Sequence, residues 1–148
     1  CWILHASGKR DHDALARRLE GLGHPPHYKL HDYITPFADA YAAADVAVAR
    51  AGGSVFELLA AGLPSVLVPY PHATADHQTG NARWMERGGA AVVVPDDELD
   101  GPRLAREVGA LLGSPDRLRA MRNAAAELAR PEAAERVAND LLMFARKS

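Results

Sequence analysis

Arg50-Ala51-Gly52-Gly53-Ser54-Val55-Phe56-Glu57 places two glycines and a hydroxyl just ahead of a carboxylate, after an apolar run and before a helical pattern. Glycines at such a junction let the backbone approach a ligand with no Cβ in the way. Open N–H groups at a helix start carry partial positive charge and suit a phosphate. The helix dipole contributes about 0.3–1 kcal/mol at an exposed site, and charge-assisted hydrogen bonds of about 1.5–3 kcal/mol each would contribute more. Glu57 has the chemistry to accept both hydroxyls of a ribose. Ser54-Val55-Phe56-Glu57 equally spells a capping box, in which Glu57 reaches back to the Ser54 N–H. Gln at position 57 separates the two readings: it keeps the cap and weakens a ribose bond.

A second polar segment runs from Tyr70 to Asn81 and contains His72, Asp76, His77 and Gln78. If a helix starts at Asp76, His77 and Asn81 share a face at i and i+4, and Gln78 points about 100° away. These neutral donors and acceptors suit sugar hydroxyls, and they equally suit a solvated helix start. His72, Asp76 and His77 lack the spacing of a metal site. Gly8-Lys9 lacks the upstream glycine and the following Ser or Thr of a P-loop. His12, His24 and His27 fall in loop-like or helix-edge contexts, and no Ser-His-Asp or Cys-His nucleophile set can be assembled.

The elements that must hold these segments alternate in type. Apolar runs predict strands at Cys1–His5, His27–His31, Asp45–Ala49, Ser65–Pro69 and Ala90–Val94. Helical patterns cover Asp11–Gly21, Pro36–Ala44, Ser54–Ala61, Asp76–Arg87, Pro102–Leu112, Pro115–Ala129 and Pro131–Lys147. Val46-Ala47-Val48 and Val66-Leu67-Val68 are apolar throughout, which fits strands covered on both faces. The pattern predicts an α/β fold of the Rossmann-like, doubly wound parallel type, with ligands beyond the carboxyl ends of the strands. The last helix carries Ala134, Val137, Ala138, Leu141, Leu142 and Ala145 on one stripe. The 148 residues are one domain's worth of chain, and a formal charge of −2 gives no global field for nucleic acid. A lone cysteine, Cys1, allows no internal disulfide, which fits a reducing compartment.

Arg50 through Pro64, with Val68-Pro69, Asp76-His77-Gln78 and Asn81-Ala82, resembles the C-terminal domain of the MurG-type peptidoglycan glycosyltransferases. The resemblance extends from His5-Ala6-Ser7-Gly8-Lys9 to Glu135-Arg136-Val137-Ala138-Asn139. It implies one half of a GT-B architecture, with the first strand and first glycine-rich loop of that half absent. It also implies an inverting transfer of N-acetylglucosamine from UDP-N-acetylglucosamine to lipid-linked muramoyl-pentapeptide. On this resemblance Ile34 would meet the uracil through its backbone. Gly52, Gly53, Ser54, Val55 and Phe56 would line the diphosphate and nucleoside, with Arg50 near the phosphates. Glu57 would hold the ribose hydroxyls, and His77, Gln78 and Asn81 would contact the sugar ring. The glycine turn is one residue shorter than the family's commonest form.

The resemblance calls for no cofactor, since the UDP-sugar is a substrate. The acceptor site, the general base and the membrane contact would belong to an N-terminal domain. Residues 1–148 are thus read as a single UDP-sugar-binding domain of a longer enzyme, inactive alone. The intact enzyme would be cytoplasmic, at the cytoplasmic face of the bacterial inner membrane. Competing readings are the donor half of another GT-B enzyme, such as a lipid or natural-product glycosyltransferase or a UDP-sugar epimerase, and a non-catalytic nucleotide-binding α/β module.

Overall fold

A strand that is apolar at every position needs cover on both faces and neighbours on both edges. The computed structural model describes residues 1–145 and gives the run Val66-Leu67-Val68 both: all three residues are buried. The chain divides into two compact units, Cys1–Ala43 and the residues from Ala44 onward.

The first unit contains β1 (Ile3–Ala6), α1 (Lys9–Gly21), β2 (Tyr28–His31) and α2 (Phe37–Ala43). β1 and β2 are parallel, with Ile3 opposite Tyr28 and Ala6 opposite His31. Parallel pairing requires a crossover, which α1 supplies. His5 Nδ1 lies 2.5 Å from the Tyr28 hydroxyl across the pair. Burial pushes the Tyr28 phenol up from its ordinary value.

The second unit contains β3 (Ala47–Ala49), α3 (Ser54–Ala60), β4 (Ser65–Leu67), a 3-10 turn (Thr74–Asp76), α4 (His77–Arg87) and β5 (Ala91–Val93). A further 3-10 turn (Asp96–Glu98) leads to α5 (Gly101–Leu112), α6 (Pro115–Leu128) and α7 (Ala133–Ala145). The sheet order is β3-β4-β5, all parallel, with Val48 opposite Val66 and Val66 opposite Val92. One core cluster joins Val66, Val68 and Val94 to Leu111 of α5 and Met121 of α6. Val55, Leu58 and Leu59 of α3 and Ala82 and Met85 of α4 are also buried. Each large apolar side chain so buried contributes about 1.5–3 kcal/mol. Seven residues are too few for a helix to persist alone, so α3 is held by those three contacts.

The parallel α/β class read from the sequence is the one observed, and every expected strand and helix exists within a few residues. Four details differ. The run Val46-Ala47-Val48 is not covered on both faces as expected: β3 is an edge strand of its sheet and Val48 is 47% exposed. The capping box at Ser54 does not form. Gly53 is the N-cap of α3, Ser54 is already helical, and no side-chain hydrogen bond caps this helix. Burial of Val55, Leu58 and Leu59 sets the helix start, one residue earlier than the box requires. Pro102 is not the first residue of its helix: Asp100 is the cap, and its carboxylate accepts from the Arg103 N–H at 2.6 Å. The stripe on α7 is helical but buries none of its residues, with Val137 60% and Leu141 65% exposed. The expected extension of that helix through Arg146 and Lys147 lies outside the described residues.

Candidate functional site

Because β3, β4 and β5 run parallel, the connections that follow them leave the sheet at one edge. The first is Arg50–Gly53, the second Val68–Ala73, and the third begins at Val94. In open α/β sheets this carboxyl edge is where ligands bind.

The glycine turn folds on itself. The Val55 N–H donates to the Gly52 carbonyl and the Phe56 N–H to that of Gly53, both at 3.2 Å. The N–H groups of Gly52, Gly53 and Ser54 have no hydrogen-bond partner among the described residues. Gly53 is exposed, and Gly52 and Ser54 are half-buried. Three neighbouring donors without partners make a ready receptor for anionic oxygens. Val55 turns its side chain into the core, and the Phe56 ring leans on Trp84 of α4 at 6.1 Å between centroids. Glu57 is exposed in the first turn of α3.

The polar segment after β4 is organised by its bonds to the backbone. Asn81 Nδ2 donates to the Ala51 carbonyl at 3.0 Å, tying α4 to the glycine turn. Gln78 Oε1 accepts from the Tyr70 N–H at 3.0 Å. That bond fixes the amide orientation, so Gln78 presents Nε2, a donor, beside Gly52, at 3.8 Å from where a Cβ on Gly52 would stand. His77 Nδ1 lies 2.7 Å from the Thr74 carbonyl. A carbonyl only accepts, so Nδ1 carries the proton, and Nε2 of the neutral ring is an acceptor. Ala75 and Asp76 both have φ of 52°, a left-handed conformation that costs about 1–2 kcal/mol at a non-glycine residue. The paired kink starts α4 at His77, one residue later than the sequence predicts.

Sequence reasoning placed Arg50 beside the phosphates and missed its partner. Arg50 Nη1 donates to the Val68 carbonyl at 3.2 Å, to the Pro69 carbonyl at 3.3 Å and to the Asp96 carboxylate. Its guanidinium also lies over the Tyr70 ring, 5.7 Å from the centroid. Asp96 stands 46 positions from Arg50 in the chain, and no local motif marks it. The parallel sheet brings the two together by setting the ends of β3 and β5 on either side of β4.

Of the sequence-predicted residues, Arg50, Gly52, Gly53, Gln78 and Asn81 are linked by these contacts in the second unit. Ser54, Val55, Phe56 and Glu57 follow on α3, and His77 opens α4. Ile34 belongs to the first unit, half-buried between β2 and α2. Among the described residues no three His, Cys, Asp or Glu side chains converge as metal ligands.

The sequence profile of the glycosyltransferase family 28 C-terminal domain matches residues 2–137. The chain belongs to this family. Among curated family members, it is 47% identical over 145 residues to the UDP-N-acetylglucosamine–N-acetylmuramyl-(pentapeptide) pyrophosphoryl-undecaprenol N-acetylglucosamine transferase of Moorella thermoacetica, covering 95% of this chain and 39% of that protein. The enzyme of the same name from Salinibacter ruber is 45% identical, with 97% and 38% covered. In fold it is similar to the crystal structure of Acinetobacter baumannii MurG, with a TM-score of 0.74 and 30% identity, over 89% of this chain and 38% of that one. A second glycosyltransferase structure, that of kitacinnamycin, matches with a TM-score of 0.58 at 27% identity, over 78% of this chain and 30% of that one. The family 28 chain thus spans about two-fifths of the length of its first curated relatives.

Proposed function

We propose that residues 1–148 form the donor-binding half of an inverting N-acetylglucosaminyltransferase that acts on lipid-linked muramoyl-pentapeptide in peptidoglycan synthesis. One observation carries the reading: the backbone N–H groups of Gly52, Gly53 and Ser54 have no partner among the described residues and lie in the turn that leaves the carboxyl end of β3, with Gln78 Nε2 beside Gly52. Names of relatives such as the Moorella thermoacetica transferase supply the donor and acceptor classes.

In this reading the open N–H groups hold the UDP diphosphate and Glu57 accepts the ribose hydroxyls. Arg50 sits close to the phosphates, and Val55 and Phe56 contribute backbone to the same wall. Gln78 donates to the sugar, and His77 Nε2 and Asn81 Oδ1 accept from it. The acceptor hydroxyl attacks the anomeric carbon, the bond to UDP breaks with its electron pair on the β-phosphate oxygen, and a base in the N-terminal half takes the proton. N–H groups already aimed at the diphosphate stabilise that growing charge without reorganising. The donor is a substrate, so no cofactor is required. The lipid-linked acceptor and the membrane surface are met by the N-terminal half, at the cytoplasmic face of the inner membrane.

The test is a titration of the 148-residue chain with UDP, UDP-N-acetylglucosamine and UDP-glucose, followed through the amide resonances of residues 52–57. The expected result is saturable shifts there and tighter binding of UDP-N-acetylglucosamine than of UDP-glucose. Glu57→Gln should weaken UDP about tenfold, because a charge-assisted bond is replaced by a neutral one. Equal binding of the two sugars would point to a different GT-B donor. No shift at all in residues 52–57 ends the proposal. The chain alone should transfer no sugar.

A further inference from the structure

A half-exposed ion pair contributes little to stability, so the placing of Asp96 against Arg50 calls for a geometric explanation. The sheet ladder stops just where Arg50 takes over. The last bond between β3 and β4 runs from the Val68 N–H to the Ala49 carbonyl, and the last between β4 and β5 from the Val94 N–H to the Leu67 carbonyl. The next two carbonyls, of Val68 and Pro69, are taken by Arg50 Nη1. The following residue is Tyr70, whose N–H fixes the amide of Gln78. An arginine side chain has several rotatable bonds and stays in one place only if its head is held. Asp96, on the turn after β5, holds it.

We propose that Asp96 is a positioning residue for donor-sugar recognition, acting through Arg50 and the Tyr70 backbone to hold Gln78 as a donor beside the glycine turn. The inference rests on the donor-site reading above for its ligand and on the hydrogen-bond chain for its geometry. Asp96 touches neither diphosphate nor sugar. Its loss lets Arg50 leave the Val68 and Pro69 carbonyls, and the Tyr70 N–H then no longer meets Gln78 in one orientation. A freed Gln78 amide rotates and offers its oxygen as often as its nitrogen. The three N–H groups of Gly52, Gly53 and Ser54 depend on none of these bonds, and the Arg50 charge stays at the same end of the sheet, so uridine diphosphate itself loses little.

Two readouts on the 148-residue chain test this. With ligand, Asp96→Ala should raise the Kd for UDP-N-acetylglucosamine about fivefold and that for UDP less than twofold, and Asp96→Glu should restore most of the difference. A proportional loss for both ligands marks general loosening and overturns the proposal, as does no loss for either. Without ligand, Asp96→Ala should speed hydrogen exchange at the Tyr70 amide and move the two Gln78 side-chain N–H resonances toward their free-amide positions. Unchanged Tyr70 exchange and Gln78 resonances overturn the proposal whatever the chain binds. Failure of the wild-type chain to bind UDP would instead sink the donor-site reading, and the ligand-free readout would still decide whether Asp96 orders Gln78. Should Asp96→Ala not fold, Asp96→Asn, which keeps an oxygen acceptor but no charge, is read in the same two ways with a smaller expected change.

Discussion

The turns after β3 and β4 leave the sheet side by side yet solve different problems. The glycine turn offers main chain: open N–H groups, no Cβ at two positions, and side chains at Val55 and Phe56 turned elsewhere. The turn after β4 offers side chains, each with one end already bound to backbone: Gln78 to Tyr70, His77 to Thr74, Asn81 to Ala51. An anion is recognised by charge and by several convergent donors, which backbone supplies rigidly. A sugar is recognised by which hydroxyl donates and which accepts, so each amide and imidazole must be locked in one orientation. Backbone bonds at one end of the side chain do that locking.

The largest expected effect separates the two turns most sharply. Gly52→Val leaves ordinary space at the Cβ, since the nearest atom, Gln78 Nε2, is 3.8 Å away, and the backbone there is not left-handed. The chain should fold with little change in melting temperature. The branched side chain would cover the open N–H groups and remove two charge-assisted bonds to the diphosphate, so UDP affinity should fall on the order of 100-fold by calorimetric titration. Unaltered UDP affinity would show that the turn is only a turn. Asn81→Ala sits at the junction of the two regions. It removes the bond to the Ala51 carbonyl and should cost about 1 kcal/mol, read as a drop of about 2–4 °C in melting temperature, together with faster amide exchange at residues 52–54. Stability loss with no change at the glycine turn would break the link between them. The smallest effect belongs to the kink ahead of α4. Ala75→Gly relieves a left-handed alanine but adds freedom to the unfolded chain, for a net stabilisation of about 0.5 kcal/mol in denaturant unfolding. Destabilisation would show that the alanine methyl makes a contact worth more than the strain.

Much of this was legible beforehand because it is written in local pattern. Runs such as Val66-Leu67-Val68 announce a covered strand, and Gly52-Gly53 announces a turn at its neighbour's end. Ser54 misled, because a capping box is a local signal and the start of α3 is set by the burial of Val55, Leu58 and Leu59. Ala75 and Asp76 gave no sign of a left-handed pair, since alanine has no preference for that conformation. The α7 stripe was read correctly as a helix face, but periodicity states only that a face is apolar, not that something within the described residues covers it.

From the sequence alone came the residue types at the two turns, the alternation of strand and helix, and hence the edge at which the turns gather: composition and period are properties of neighbours along the chain. The tertiary structure alone decided which ends of Gln78, His77 and Asn81 remain available, and that Asp96 holds Arg50. Those depend on which backbone groups a fold brings within about 3 Å of a side chain, and residues 46 apart meet only after three parallel strands have been laid edge to edge.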